Sequence, residues 1–411
     1  MNKQIIVAAL ALPLALSSAF AQEAQGPTVK ISGFGTGALT WTNTDQAEFG
    51  RPNQASGVKK SPRTGVDSNL GLQADVGVNS WLSFTAQGLV RKDAEDDFGA
   101  ELGWAFAKAR INDQASVRVG RIGLPAFMIS DYRNVGYANN FLRPPVEMYS
   151  QVPFNSLDGI DATYQQSFGD TTVTGQLAFG RAEAPLAGEL TAKGKKMSAL
   201  NIVAEHGPFT ARFGRVDATV SIYGTGPSAV RLAGLLAGLR QASALGLPQL
   251  KTMADQLDAN EKKASFTSVG LGMDWNNVVV QTEFAKRKVD AYVNDTSSWY
   301  VMGGYRIGKF LPYVIQSKLK IDDTVSNVIP AGIPSLAAAR AGANTLPYTG
   351  VGQGESSTTS IGVRWDFYRS LALKAQIDRV KPAVGSGLLL NAQPGFNRDV
   401  TVGAVAIDFV F

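Results

Sequence analysis

The chain has 411 residues, 39 Lys and Arg against 34 Asp and Glu, a net charge of +5, one histidine and no cysteine. The mild basic excess comes without a basic run interleaved with aromatics, which excludes the usual nucleic-acid signature. With no cysteine, disulfides are excluded.

At the amino-terminus, Lys3 precedes an apolar run from Ile5 to Leu16 and then Ala19-Phe20-Ala21. This pattern reads as a secretory signal over residues 1–21, cut before Gln22 at an A-x-A site. The run is too short to cross a bilayer as a helix, and no later run is long enough. The mature unit, 22–411, then carries 38 − 34 = +4. Its length would suit two or three soluble domains. No Pro/Ser-rich linker or composition shift divides it, so one large unit is expected.

Strands with a period of two are predicted at 29–41, 67–77, 80–90, 99–112, 115–120, 158–168, 171–181 and 197–205. They continue at 208–216, 264–275, 277–287, 298–306, 309–320, 357–367, 370–381 and 400–411, sixteen in all. Many have about the 9–11 residues that a tilted transmembrane strand needs. Connections such as Val78-Asn79, Gly169-Asp170, His206-Gly207, Ile307-Gly308 and Tyr368-Arg369 are tight and turn-like. Between them fall long connections: 42–66, 91–98, 121–157, 182–196, 217–263, 288–297, 321–356 and 382–399. Short turns on one rim and long loops on the other are the mark of a transmembrane β-barrel. Hydrocarbon offers no partner to an unpaired backbone group, so the sheet must close. The expected fold class is all-β, a sixteen-stranded antiparallel transmembrane barrel.

Facing follows from cost. A Lys or Arg on the lipid face near midplane costs about 2–4 kcal/mol. Mid-strand charges should therefore point inward: Arg118, Arg212, Arg306, Lys318, Arg364 and Lys374 as pore wall, with Asp75, Asp161, Asp274, Glu283 and Asp366. The opposite parity puts Leu82, Phe84, Leu177, Phe179, Val269, Leu271, Ile361, Val363 and Trp365 against lipid. One strand resists, because Lys108 and Arg110 share parity with Trp104 and Phe106. Either that basic pair sits at the rim, or the row Gly103, Ala105, Ala107 and Ala109 packs against a neighbouring subunit, and the second is expected. A polar interior of this diameter means water.

In the last strand, Gly403, Val405, Ile407, Phe409 and Phe411 form one face, and it ends on an aromatic. Phe409 and Phe411 are expected to close the barrel in the interfacial girdle. At this point the sequence resembles the Gram-negative outer-membrane porins, which end in such a strand. The resemblance implies outer-membrane location, contact with lipid and lipopolysaccharide, a homotrimer, and passive diffusion of small hydrophilic solutes. It also implies that the loop after the fifth strand, 121–157, folds inward as a constriction. That loop carries Arg121, Asp131, Arg133, Arg143 and Glu147, stiffened by Pro125, Pro144, Pro145 and Pro153. It departs from the general-porin pattern of a mainly acidic loop with a PEFGG-like motif. Arginines on loop and wall suggest a weak anion preference.

Residues 228–259 and 334–342 have helical spacing and are expected as helices on the outer loops. The sole histidine, His206, lies in a tight turn away from any serine or acid cluster, so no catalytic site is expected. No P-loop, H-E-x-x-H or EF-hand pattern occurs, so neither cofactor nor metal is expected. Two other readings stand beside the general porin. One is a channel selective for an anion or small organic solute. The other is a surface adhesin or receptor using 217–263 and 321–356.

Overall fold

The structure is a computed structural model that describes residues 27–345 and 354–411. The expected signal segment and part of the 321–356 loop lie outside the described residues.

Sixteen antiparallel strands form one closed barrel. They are β1 (Thr28–Thr42), β2 (Asn69–Gly77), β3 (Leu82–Lys92), β4 (Phe98–Arg110), β5 (Ala115–Gly123), β6 (Ser156–Phe168), β7 (Thr171–Leu186) and β8 (Leu190–His206). Then follow β9 (Phe209–Gly224), β10 (Lys262–Trp275), β11 (Val278–Val289), β12 (Asp295–Tyr305), β13 (Phe310–Asp323), β14 (Ser356–Tyr368), β15 (Leu371–Pro382) and β16 (Val400–Val410). All sixteen predicted strands are present.

Closure joins β1 to β16 from Phe34–Val410 to Thr42–Val402. Past the end of β16, the Gly33 amide donates to the Phe411 carbonyl at 3.0 Å, and the Phe411 amide donates back at 2.9 Å. The rings of Phe411 and Phe409 lie over Gly33 and Gly35, where an added Cβ would come within 2.4 and 2.5 Å of ring carbon. Glycine is needed there because the girdle rings occupy the space a side chain would take.

The short turns are built by side chains and left-handed residues. Asn79 and Asn112 each accept two following backbone amides, and Gly169, Gly207 and Gly308 have φ of 59°, 53° and 60°. The opposite rim departs from expectation at 182–196. Here β7 and β8 continue paired to Leu186 and Leu190, and β9 runs on to Gly224. Charges such as Glu183 and Lys193 look like loop residues in sequence, but they pair across the extended hairpin at 3.4 Å. A strand that rises above the hydrocarbon can carry charge on its outer face.

Two facing assignments are decided by register. In β4, Trp104, Phe106 and Lys108 stand opposite inward Gln87, Thr85 and Ser83, so the aromatics turn into the barrel. The outward row is Ala105, Ala107 and Ala109. In β13 the inward row is Leu311, Tyr313, Ile315, Ser317 and Leu319, while Lys318 shares the outer row with Val314. The expectation that Lys318 lines the lumen is therefore corrected. It lies toward the long-loop rim opposite Trp299 of β12, where an outward cation costs only about 0–1 kcal/mol.

The interior is not wet throughout. Residues 124–155 fold into the barrel, where Leu124, Phe127, Phe141, Met148 and Tyr149 pack with Tyr300, Tyr313 and Ile315 of the wall. A second apolar cluster lies among the outer loops. There the helices Pro227–Ala244 and Gln249–Leu257 pack Leu239, Leu250 and Met253 with Tyr292 and Ile329.

Candidate functional site: the inward loop and the lumen it leaves open

A loop crossing a barrel interior has no strand ladder to satisfy its backbone, and buried carbonyls must find donors. The wall cations meet that need. Lys374 on β15 is fully buried and donates to the carbonyls of Gly136, Asn139 and Phe141 at 2.7, 2.7 and 3.0 Å. Its Nζ lies 2.8 Å from Asp408 of β16. Arg364 on β14 donates to the carbonyls of Tyr137 and Asn139, and Arg212 on β9 to those of Pro125 and Ala126. Glu283 on β11 accepts from the Met128 amide at 2.9 Å and the Tyr149 hydroxyl at 3.0 Å.

The loop returns its own charges to the wall. Arg143 is buried between Asp67 and Asp378, donating to Asp67 at 2.7 Å and also to Asp378. Burial opposes its charge, but the two carboxylates outweigh that and hold its pKa above the usual value. Asp67 mirrors this. Burial alone would raise it, and Arg143 holds it below the ordinary carboxylate range. Glu147 is buried and accepts from Ser317, Ser356 and Thr358.

These contacts correct part of the predicted constriction. Arg143 and Glu147 do not face open lumen, because a proline-stiffened turn presses that part of the loop against β13–β15. Arg121 is not in the loop. It belongs to β5 and shares outward parity with Val117 and Val119, and it pairs with Asp158 at 2.7 Å. Asp131 and Arg133 stand at the open side, and Arg121, with its partner Asp158, lines the same space from the β5 wall. Of the expected wall residues, Arg212, Arg364 and Lys374 point inward but lie under the loop. Arg118 pairs with Asp161 and stays partly exposed beneath the Phe106 ring. Arg306 follows β12 at the short-turn rim and pairs with Asp274.

The wall of β2 to β6 keeps a polar interior. Asp75 accepts from Gln73 and Thr85, and Gln87 donates to Gln73. Lys108 points inward near the short-turn end of β4 and is exposed, so this side of the lumen is open to solvent at that rim. A cavity of about 330 Å³ lies between the loop tip and this wall, lined by Gln87 and Trp104 and by charges of both signs, Arg91, Arg121 and Arg133 with Glu101, Asp131, Asp158 and Glu183. It forms where β4–β5 pairing stops at Ala105–Arg121, because β5 then turns into the lumen. Arg51, Arg91, Lys92 and Trp104 were not singled out for this region by sequence. Their only early signal is position, since Arg51 lies in the first long loop and Arg91 and Lys92 lie at the long-loop end of β3.

His206 sits at the short-turn rim, its Nδ1 2.9 Å from the Thr171 hydroxyl. Among the described residues there is no cluster of His, Asp and Glu able to hold a metal ion.

No protein-family model matches the sequence, and a search of curated proteins finds no match. Solved structures do resemble it. OmpT of Vibrio cholerae, expressed in the outer membrane, aligns with a TM-score of 0.53 at 11% identity, covering 95% of this chain and 99% of that one. The trimer form of OmpT gives 0.50 at 11%, covering 94% and 100%. OmpF of Salmonella typhi, solved with daunomycin, gives 0.51 at 14%, covering 94% and 98%. The outer-membrane channel DcaP of Acinetobacter baumannii gives 0.54 at 10%, covering 95% and 99%. A closed sixteen-stranded barrel aligned over nearly its full length with these proteins is the fold of the Gram-negative outer-membrane porins.

Proposed function

We propose that the protein is a passive channel of the bacterial outer membrane through which small hydrophilic solutes and ions diffuse. The observation that carries this reading is the split lumen. One side is filled by an anchored loop, and the other presents inward charges that water still reaches, as at Lys108. Large apolar residues such as Val119, Leu271 and Ile361 are exposed on the outer face, at 55%, 53% and 64%, which suits a lipid surround. Liposomes containing the protein should swell in isotonic arabinose at a rate that falls with sugar size. Liposomes that stay as tight as protein-free ones would overturn the reading.

The charged lining of the small recess beside the narrow part is all basic, from Arg51, Arg91, Lys92 and Arg133. The adjoining cavity mixes charges, adding Arg121 with Asp93, Glu101, Asp131, Asp158 and Glu183. The basic recess supports a mild anion preference. The reversal potential in a KCl gradient should carry the sign for chloride, and the opposite sign would defeat the preference. The alanine row of β4, with Ala105 opposite Ala86 and with Ala107 and Ala109 opposite the outward Phe84 and Leu82 of β3, offers a shallow small-residue strip edged by large apolar side chains. It supports packing as a homotrimer, the form in which one OmpT structure was solved. Outside that patch, the outer face would contact lipid and lipopolysaccharide.

A further inference from the structure

Anchoring the inward loop does not use every cation near it. Arg51 from the loop after β1, Arg91 and Lys92 from the end of β3, and Arg133 from the inward loop line one recess of about 50 Å³ together with Asn53 and Asn134. Arg91, Lys92, Arg133, Asn53 and Asn134 also line the 330 Å³ cavity, whose wall includes Trp104 as well as the carboxylates Glu101 and Asp131. The two spaces adjoin.

Only half of this charge is matched. Arg91 donates to Glu101 at 2.9 Å, and Lys92 pairs with Asp96. Among the described residues, Arg51 and Arg133 make no ion pair. Arg133 lies 6.0 Å from the centre of the Phe127 ring, and the carboxylates whose charge reaches Arg51, Asp67 and Asp408, are already paired with Arg143 and Lys374. Burial, then the like charges of Arg91 and Arg51, push the Arg133 pKa down to about 9. In the recess itself no carboxylate stands between Arg51, Arg91 and Arg133; their like charges repel, and an anion placed there relieves that cost. A hydrated chloride would not need the adjoining space, which is the size of a small organic ligand and has an indole on its wall.

We propose that this cluster is a weak binding site for small organic carboxylates. The carboxylate lies among Arg51, Arg91 and Arg133, and the carbon body lies along Trp104. Binding has to be weak, since a solute that cannot leave blocks its own passage. The site rests on the channel reading for its role in permeation.

The test uses benzoate as the probe and benzamide as its neutral counterpart, with the full-length protein in a planar bilayer and, separately, in detergent. Benzoate should interrupt single-channel current with a saturable dependence on concentration, and benzamide should not. Arg133→Gln and Arg51→Gln should each raise the half-blocking concentration roughly tenfold. Trp104→Ala should weaken benzoate but not inorganic phosphate, and Lys320→Gln on the outer face should change neither. Calorimetric titration in detergent should give the same order of affinities. Calorimetric binding that Arg133→Gln weakens, from protein that carries no current, would uphold the site and defeat the channel. Absence of benzoate binding, binding indifferent to both arginine variants, or phosphate held as tightly as benzoate with Trp104→Ala silent would overturn the proposal.

Discussion

At the scale of single residues, the inward-pointing charges divide by what they touch. Lys374, Arg364 and Arg212 spend their hydrogen bonds on loop carbonyls, whereas Arg51 and Arg133 leave theirs to the lumen. The cost rule that sends cations inward says nothing about which of them a loop will cover. That is why facing was legible in the sequence for Arg118, Arg212, Arg364 and Lys374, and their surroundings were not. Lys318 escaped the rule because it lies near a rim, where the rule weakens. Arg143→Ala would leave Asp67 and Asp378 buried without their cation, a loss of about 3–5 kcal/mol. The expected outcome is a lower unfolding temperature and a noisier, larger open-channel current, and a silent variant would remove Arg143 from the anchoring scheme. Acid acts on the same contact with a definite sign. Because Asp67 is held below its usual pKa of 3.8, its contribution is complete above that value and is lost as pH falls through its lower folded value. Protease sensitivity of the inward loop should thus rise only in strong acid, and Asp67→Asn should show that sensitivity at neutral pH.

Elements were easier to read than residues, because alternation repeats along each strand while a contact occurs once. The sixteen strands and their tight turns follow from period-two patterns and turn residues such as Asn112 and Gly169. The ends at 182–196 do not, since a charged residue in a strand above the membrane looks the same as one in a loop. The β1–β16 seam shows why glycine belongs inside a strand here. Gly35→Val would drive a side chain into the Phe409 ring, an overpacking cost of about 1–3 kcal/mol. Heat-modifiable gel mobility should then show slower or incomplete barrel assembly, and normal assembly would mean that the ring can move aside without cost. The inward loop, by contrast, has no internal periodicity. Its position was expected from resemblance, and its path is set by hydrogen bonds from each of β9 to β15 and from the segment before β2, which no local pattern encodes.

For the whole molecule, the sequence implied a cylinder greasy outside and wet inside. The outer half of that statement describes most strands, with the small alanine row of β4 and the outward Lys318 of β13 as departures. The inner half holds on the β2–β6 wall only, because the loop brings Phe127, Phe141 and Met148 with it and packs them against the remaining wall. The lumen is therefore narrower than strand number alone would give. A reduced conductance follows from the same geometry that supports the carboxylate site. Everything functional depends on an aqueous path surviving beside the loop. Single-channel recording in planar bilayers tests that most directly. Discrete, long-lived current steps whose size grows in proportion to KCl concentration are expected, with larger steps from Arg143→Ala. A correctly folded barrel that inserts and passes no ions would contradict the account.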